Sequence, residues 1–146
     1  MQANAVISGG RVLLAEDDSD LRAQVASALR RDGHGVIEAE DGYELADLVE
    51  LSIYRKGLRP RPDVIVSEMC LPGVSALLIL EQLRGEHMDT PMILMAPIVD
   101  DAARSHALDL GATAVFDRTS GMDSLCRFVA RVVGARRALD ARGPRR

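Results

Sequence analysis

Residues 11–22 read RVLLAEDDSDLR. Val12, Leu13, Leu14 and Ala15 form an unbroken apolar run, and the acidic side chains of Glu16, Asp17 and Asp18 follow at once. From Ser19 onward the apolar period changes, so that Leu21, Val25, Ala28 and Leu29 share one helical face. An apolar run without alternation reads as a strand covered on both faces, which is the habit of parallel sheets. Asp18, Ser19 and Asp20 can cap the helix, and Asp32-Gly33 can end it. The unit is strand, acidic turn, helix.

The unit recurs. Further short apolar runs are Val36-Ile37, Val64-Ile65-Val66, Met92 to Met95 and Ala114-Val115-Phe116. Helical spacing covers residues 42–54, 75–84, 100–110 and 121–133. Pro60 and Pro62 fence the third strand, Pro91 opens the fourth, and Gly111 divides the fourth helix from the fifth strand. Five strand–helix repeats predict an α/β fold with a doubly wound, five-stranded parallel sheet and right-handed crossovers. The expected layout is an N-terminal extension over 1–10, a domain over 11–135 and a basic tail over 136–146.

Composition sets the outer bounds. At 146 residues, 47% hydrophobic and 27% charged, the chain suits one globular domain that needs no staple. No apolar stretch reaches the length of a membrane span, and the start, MQANAVISGG, has no secretory character. Two cysteines, Cys70 and Cys126, make no disulfide framework and fit a cytoplasmic protein. Cys70 is expected to be a small buried hydrophobe. Charge is uneven: residues 131–146 carry six arginines and one aspartate, whereas the first 130 residues carry 12 basic and 21 acidic groups. The tail reads as an arginine-rich, frayed helix end rather than a nucleic-acid contact. The connection YRKGLRPRPD, with Arg55, Lys56, Arg59 and Arg61, reads as a solvated loop.

Ligands of open parallel sheets bind beyond the carboxyl ends of the strands. Glu16, Asp17 and Asp18 stand there after strand 1, Glu68 after strand 3, Ala96 and Pro97 after strand 4, and Arg118 after strand 5. Glu16, Asp17 and Glu68 would repel one another without a cation or an arginine. Hard oxygen ligands suit Mg²⁺, and Arg118 is the nearest counter-charge by topology. No nucleophile–base pair, zinc-binding spacing or glycine-rich nucleotide motif is present. That argues against the alternative of a small α/β hydrolase using the acidic cluster.

The segments VLLAEDDSDLR, PDVIVSEMCLPG, TPMILMAP and GATAVFDR, in this order and spacing, resemble the response-regulator receiver domain of two-component signalling. The likeness covers roughly residues 10–135. It implies a flavodoxin-like sheet of order 2-1-3-4-5. It also implies an acidic pair for Mg²⁺ at Glu16 and Asp17, with Asp18 beside them and the backbone of Cys70 as a further ligand. The phosphoacceptor position falls on Glu68 instead of aspartate, the hydroxyl position on Ala96 and the lysine position on Arg118. The aromatic switch position falls on Val115, and the usual Asp-Gly of the third loop reads Ser75-Ala76. Glutamate carries its carboxylate about an ångström further out, enough to cost on the order of 10²-fold in an in-line attack. The resemblance therefore implies a non-enzymatic phosphorelay domain, degenerate and phosphorylation-independent, working through protein contacts. The alternative is an ordinary phosphorylatable receiver. Mg²⁺ is expected to bind weakly at most, and a competing but compatible account has Glu68 and Arg118 form an ion pair that closes the pocket. A signalling protein or histidine kinase is the implied partner. The implied partner or dimer surface is helix 4, strand 5 and helix 5; neither a membrane nor nucleic acid is expected as a partner.

Overall fold

The computed structural model describes residues 9–55 and 60–143. Lys56 and Arg59 of the basic connection, most of the 1–10 extension and the last two arginines lie outside the described residues. Five strands form one parallel sheet: β1 (Arg11–Ala15), β2 (Gly35–Ala39), β3 (Val64–Glu68), β4 (Met92–Ala96) and β5 (Ala114–Asp117). Their order is β2-β1-β3-β4-β5, as the family resemblance implies. Helices α1 (Ser19–Arg31), α2 (Gly42–Val49), α3 (Ala76–Gly85), α4 (Asp101–Asp109) and α5 (Met122–Ala141) cover the two faces.

Strand parity builds both layers of the core. Successive side chains of a strand point to opposite faces. Val12, Leu14, Val64, Val66, Ile93 and Met95 therefore pack with Val25 and Leu29 of α1 and Val129 and Val133 of α5. Leu13, Ile65, Met92 and Leu94 pack the other way, against α2 and α3 through Leu45, Val49, Leu80 and Leu83. Every residue of β3 and β4 is buried. This accounts for the unalternating apolar runs in the sequence.

The cap of α1 falls where the sequence puts it. Asp18 accepts from the backbone N–H groups of Asp20 and Leu21, and Asp41, Ser75 and Asp100 cap α2, α3 and α4. Two element ends differ from expectation. The second helix gives way after Val49 to a π-helical turn, Glu50–Tyr54, which buries Ser52 and Ile53. The fifth helix runs on to Ala141 instead of stopping near 133, so residues 136–141 are helix and not loose tail. Arg136 pairs with Asp89 at 3.0 Å, and Arg137 donates to the Gly9 carbonyl at 2.9 Å. These contacts hold the extension that periodicity alone left open.

At the opposite end of the sheet from the acidic cluster, His34 is buried. Its Nδ1 accepts from the Gly10 N–H at 3.0 Å, and its Nε2 has no hydrogen-bond partner. Burial holds its pKa below the usual histidine value, against the opposing charges of Asp32 and Asp63. The unfolded chain then binds the imidazole proton more readily, so this residue's contribution to stability is lost as pH falls below about 6.5. Relative to His34→Asn, the parent should lose on the order of 1 kcal/mol of stability between pH 7.5 and 5.5, read as the difference between the two proteins because the other titrating groups are common to both. An unchanged pH response in that variant would contradict the assignment.

Candidate functional site

The site begins with register. Ala15 of β1 lies opposite Ser67 of β3, so the next residues along, Glu16 and Glu68, come side by side. Parity gives both the face of Val12, Leu14, Val64 and Val66, under α1 and α5. Both are buried, with 2% and 7% of their surface exposed. Asp17, one residue on, turns outward and is exposed, as is Asp18 at the helix cap. The sequence correctly brings three carboxylates to one end of adjacent strands, but only two of them are inside the protein.

The buried pair is charged against itself. Burial, the charge of Glu16, hydrogen bonding with Glu16 and the charge of Asp17 push the Glu68 carboxyl up to about 7. Burial likewise raises Glu16, partly offset by Glu68 and by the Asp18 backbone N–H, which donates to Oε1 at 3.3 Å. Glu16 Oε2 is buried with no partner within ordinary hydrogen-bond length. The two acids thus act on each other at short range, without a direct hydrogen bond of standard geometry. Each acid thereby makes the other harder to ionise.

Arg118 does not close this pocket. Among the described residues no ion pair reaches Glu16, Asp17 or Glu68. The expected Glu68–Arg118 pair is therefore absent. The cause lies at the end of β5. The Asp117 carboxylate accepts from the backbone N–H groups of Thr119 and Ser120 and from the Thr119 hydroxyl, curling the chain into a 3₁₀ turn, Arg118–Ser120. The turn leaves Arg118 exposed at the rim. The Thr119 hydroxyl and these N–H groups hold the Asp117 carboxyl below its ordinary pKa.

Beside Glu68 the ends of β3, β4 and β5 and the helices α1 and α5 border a half-open cavity of about 330 Å³. Leu21 and Val25 wall it from α1, Met122 and Leu125 from α5, and Met95, Ala96 and Phe116 from the strands. Asp117, Arg118 and Gln24 are its other polar lining groups. Phe116 meets Phe128 edge-on with 5.4 Å between centroids. The helical spacing of Leu21 and Val25 was legible in the sequence, but not that their face borders a cavity. Phe116 and Met122 carried no signal beyond being apolar.

Ala96 is buried at the head of β4 and offers no hydroxyl. Pro97 follows it, and Val115 is buried on the α4 side of β5. The loop after β3 is pinned from α2. The Gly42 N–H donates to the Pro72 carbonyl at 2.8 Å. Gly73, at φ +85°, lies under the Tyr43 ring, where a Cβ would stand 2.5 Å from a ring carbon. In this loop Met69 and Leu71 turn inward, so Cys70 between them is exposed, not buried as expected. Among the described residues no three His, Cys, Asp or Glu side chains are set to hold a metal ion. No helix among them is long and apolar enough to cross a membrane.

A doubly wound parallel sheet of this order, with an acid pair at the carboxyl ends of β1 and β3, defines the flavodoxin-like class of folds. The chain belongs to the response regulator receiver domain family, whose description matches residues 12–130. It is 30% identical over 138 residues to the transcriptional regulatory protein TcrA of Mycobacterium tuberculosis, covering 94% of this chain and 49% of that protein. It is 27% identical over 115 residues to the response regulator MprA of the same species, covering 79% and 46%. The chain thus spans about half the length of these curated relatives. Solved structures agree on the fold. The Francisella response regulator 1452 receiver domain superposes with a TM-score of 0.76 at 21% identity, over 86% of this chain and 98% of that one. The chemotaxis response regulator CheY4 of Vibrio cholerae superposes at 0.72 and 21% identity, over 86% and 99%.

Proposed function

We propose that this receiver domain works in two-component signalling without accepting a phosphoryl group, passing its signal through protein–protein contacts. The observation that carries this reading is the pair Glu68 and Ala96. The first is a buried, self-repelling glutamate at the phosphoacceptor position; the second leaves no hydroxyl to hold a phosphoryl oxygen. Arg118, turned to the rim, adds to it. A dianionic phosphoryl group entering here would meet Glu16 and Asp17 with no paired cation inside. Incubation with acetyl phosphate and Mg²⁺ should therefore add no phosphoryl mass to Glu68. Glu68→Asp should restore little, because Ala96 and the exposed arginine persist. A reproducible mass gain on Glu68 would restore the alternative, an ordinary phosphorylatable receiver.

Glu16, Asp17 and Glu68, with the Cys70 carbonyl, are the groups that would hold Mg²⁺. The orphan Glu16 oxygen suits a cation, whereas the outward Asp17 leaves the set incomplete, so binding is weak. When bound, the ion would neutralise the acid pair.

The contact surface is the face of α4, β5 and α5, presented to a histidine kinase, another signalling protein or a second copy. Arg104 ties this face together, donating to the Val115 carbonyl and standing 3.9 Å from Asp117. Leu108 is 45% exposed on α4, and Ile98 in the loop before it is 87% exposed. With Ala96 and Val115 in place of a hydroxyl and a ring, the face has no moving part to couple to the pocket. It holds one conformation with or without a phosphodonor. A cytoplasmic location goes with such a partner.

A further inference from the structure

We propose that the cavity between α1, α5 and the ends of β3–β5 binds a small molecule with an apolar body and a single ammonium head, the head seated on Glu68. The proposal deepens the phosphorylation-independent reading of this site and rests on it. It replaces the phosphoryl group with a ligand of opposite charge.

Size comes first. At about 330 Å³ the cavity lies within the range of small-molecule pockets. Its walls are mostly apolar, Leu21, Val25, Met95, Phe116, Met122 and Leu125, with Gln24, Asp117 and the exposed Arg118 as the polar lining besides Glu68. Two of these are methionines, which adapt their shape to what they touch. A hydrated Mg²⁺ keeps several waters and gains nothing from such walls. An apolar body gains from each of the apolar ones.

Charge selects the head group. Glu68, more than nine-tenths buried, lines the cavity; the buried Glu16 stands beside it on β1, and Asp17 is exposed. Among the described residues no cation pairs with any of the three. Glu16 Oε2 has no hydrogen-bond partner of standard geometry. An anionic head would be repelled there, and a neutral one would leave the carboxylates uncompensated. An ammonium compensates them.

Ala96 makes the room. It stands where the family has a larger hydroxyl side chain, and its methyl lines the cavity. The same substitution that removes a phosphoryl contact opens space for a ligand.

The test uses phenethylamine as probe and phenethyl alcohol as its uncharged counterpart, titrated into the isotope-labelled full chain and followed by NMR. The amine should saturate with a dissociation constant of about 1 mM or tighter. Its shifts should centre on Leu21, Val25, Phe116 and Met122. The alcohol should bind at least about fivefold more weakly, and Glu68→Gln should remove that preference. Two blocking variants, Ala96→Leu inside and Met122→Trp at the half-buried rim, should each abolish saturation, so that a folding defect in one leaves the other to decide. No saturation below about 10 mM, shifts centred elsewhere, or equal binding of amine and alcohol would overturn the proposal. Acetyl phosphate treatment of the same sample, read by mass, separates the two readings. Mass gain with amine binding intact sinks only the phosphorylation-independent reading; no mass gain and no amine binding sinks only the ligand site.

Discussion

Glu68→Gln is expected to stabilise the protein at pH 8 and to leave its stability unchanged near pH 4. The carboxyl is held at about 7 in the folded chain, against an ordinary value of 4.5. An acid whose folded pKa is raised contributes fully below its unfolded pKa. It loses that contribution as pH rises through the folded value. The window here is about pH 4.5 to 7. Above it both states are ionised, and the folded chain bears a buried charge beside Glu16. The full shift would correspond to roughly 3 kcal/mol. Coupling to Glu16 reduces what one substitution recovers, so the expected gain is about 2 kcal/mol. Glutamine keeps the shape and removes the charge. Because His34 opposes this trend at acidic pH, the quantity to follow is the difference between variant and parent. It should be read from urea midpoints at each pH with a chelator present. A difference that stays flat across the window would show that Glu68 is not a buried, repelled acid.

Gly42→Ala should be damaging, because Gly42 is buried at the start of α2 against the loop after β3. The new Cβ would stand 1.8 Å from the Val74 carbonyl oxygen and 2.6 Å from the Val74 carbonyl carbon. Backbone cannot rotate away as a side chain can, so either α2 or the loop after β3 must move. That movement also breaks the hydrogen bond from the Gly42 N–H to the Pro72 carbonyl. Overpacking of this kind costs about 3 kcal/mol. The loop carries Cys70 beside Glu68, so the change should reach the acid pair as well as stability. Denaturant midpoints measure the first effect, and backbone NMR shifts at Glu68 and Cys70 measure the second. Gly85→Ala is the control: a Cβ there meets nothing within 4 Å. It sits at the end of α3 and should be nearly neutral. Equal, small effects from both would refute the close approach of α2 and the loop.

The sequence alone determined the scaffold. Unalternating runs at Val12–Ala15, Val64–Val66 and Met92–Met95 require two covered faces, and helical spacing between them supplies the covers. Local signals, such as the Asp18 cap and the turn at Gly33, depend on chain neighbours and were legible for that reason. The same holds for the positions of Glu16, Asp17, Glu68, Ala96 and Arg118 at strand ends. What each of them does there depended on tertiary structure. Register and parity sent Glu16 and Glu68 inward and Asp17 outward. The side-chain cap of Asp117 on Thr119 and Ser120 turned Arg118 away from the pair it was expected to neutralise. Cys70 came out exposed because Met69 and Leu71 on either side took the inward positions. The fifth helix ran to Ala141 because Arg136 and Arg137 found Asp89 and Gly9, partners 47 and 128 residues away in the chain. The cavity belongs to no segment: its walls come from α1, three strand ends and α5, and only their packing forms it. Periodicity reports which side of an element is buried. It does not report what stands opposite, and that opposition decides charge, proton affinity and space in this pocket.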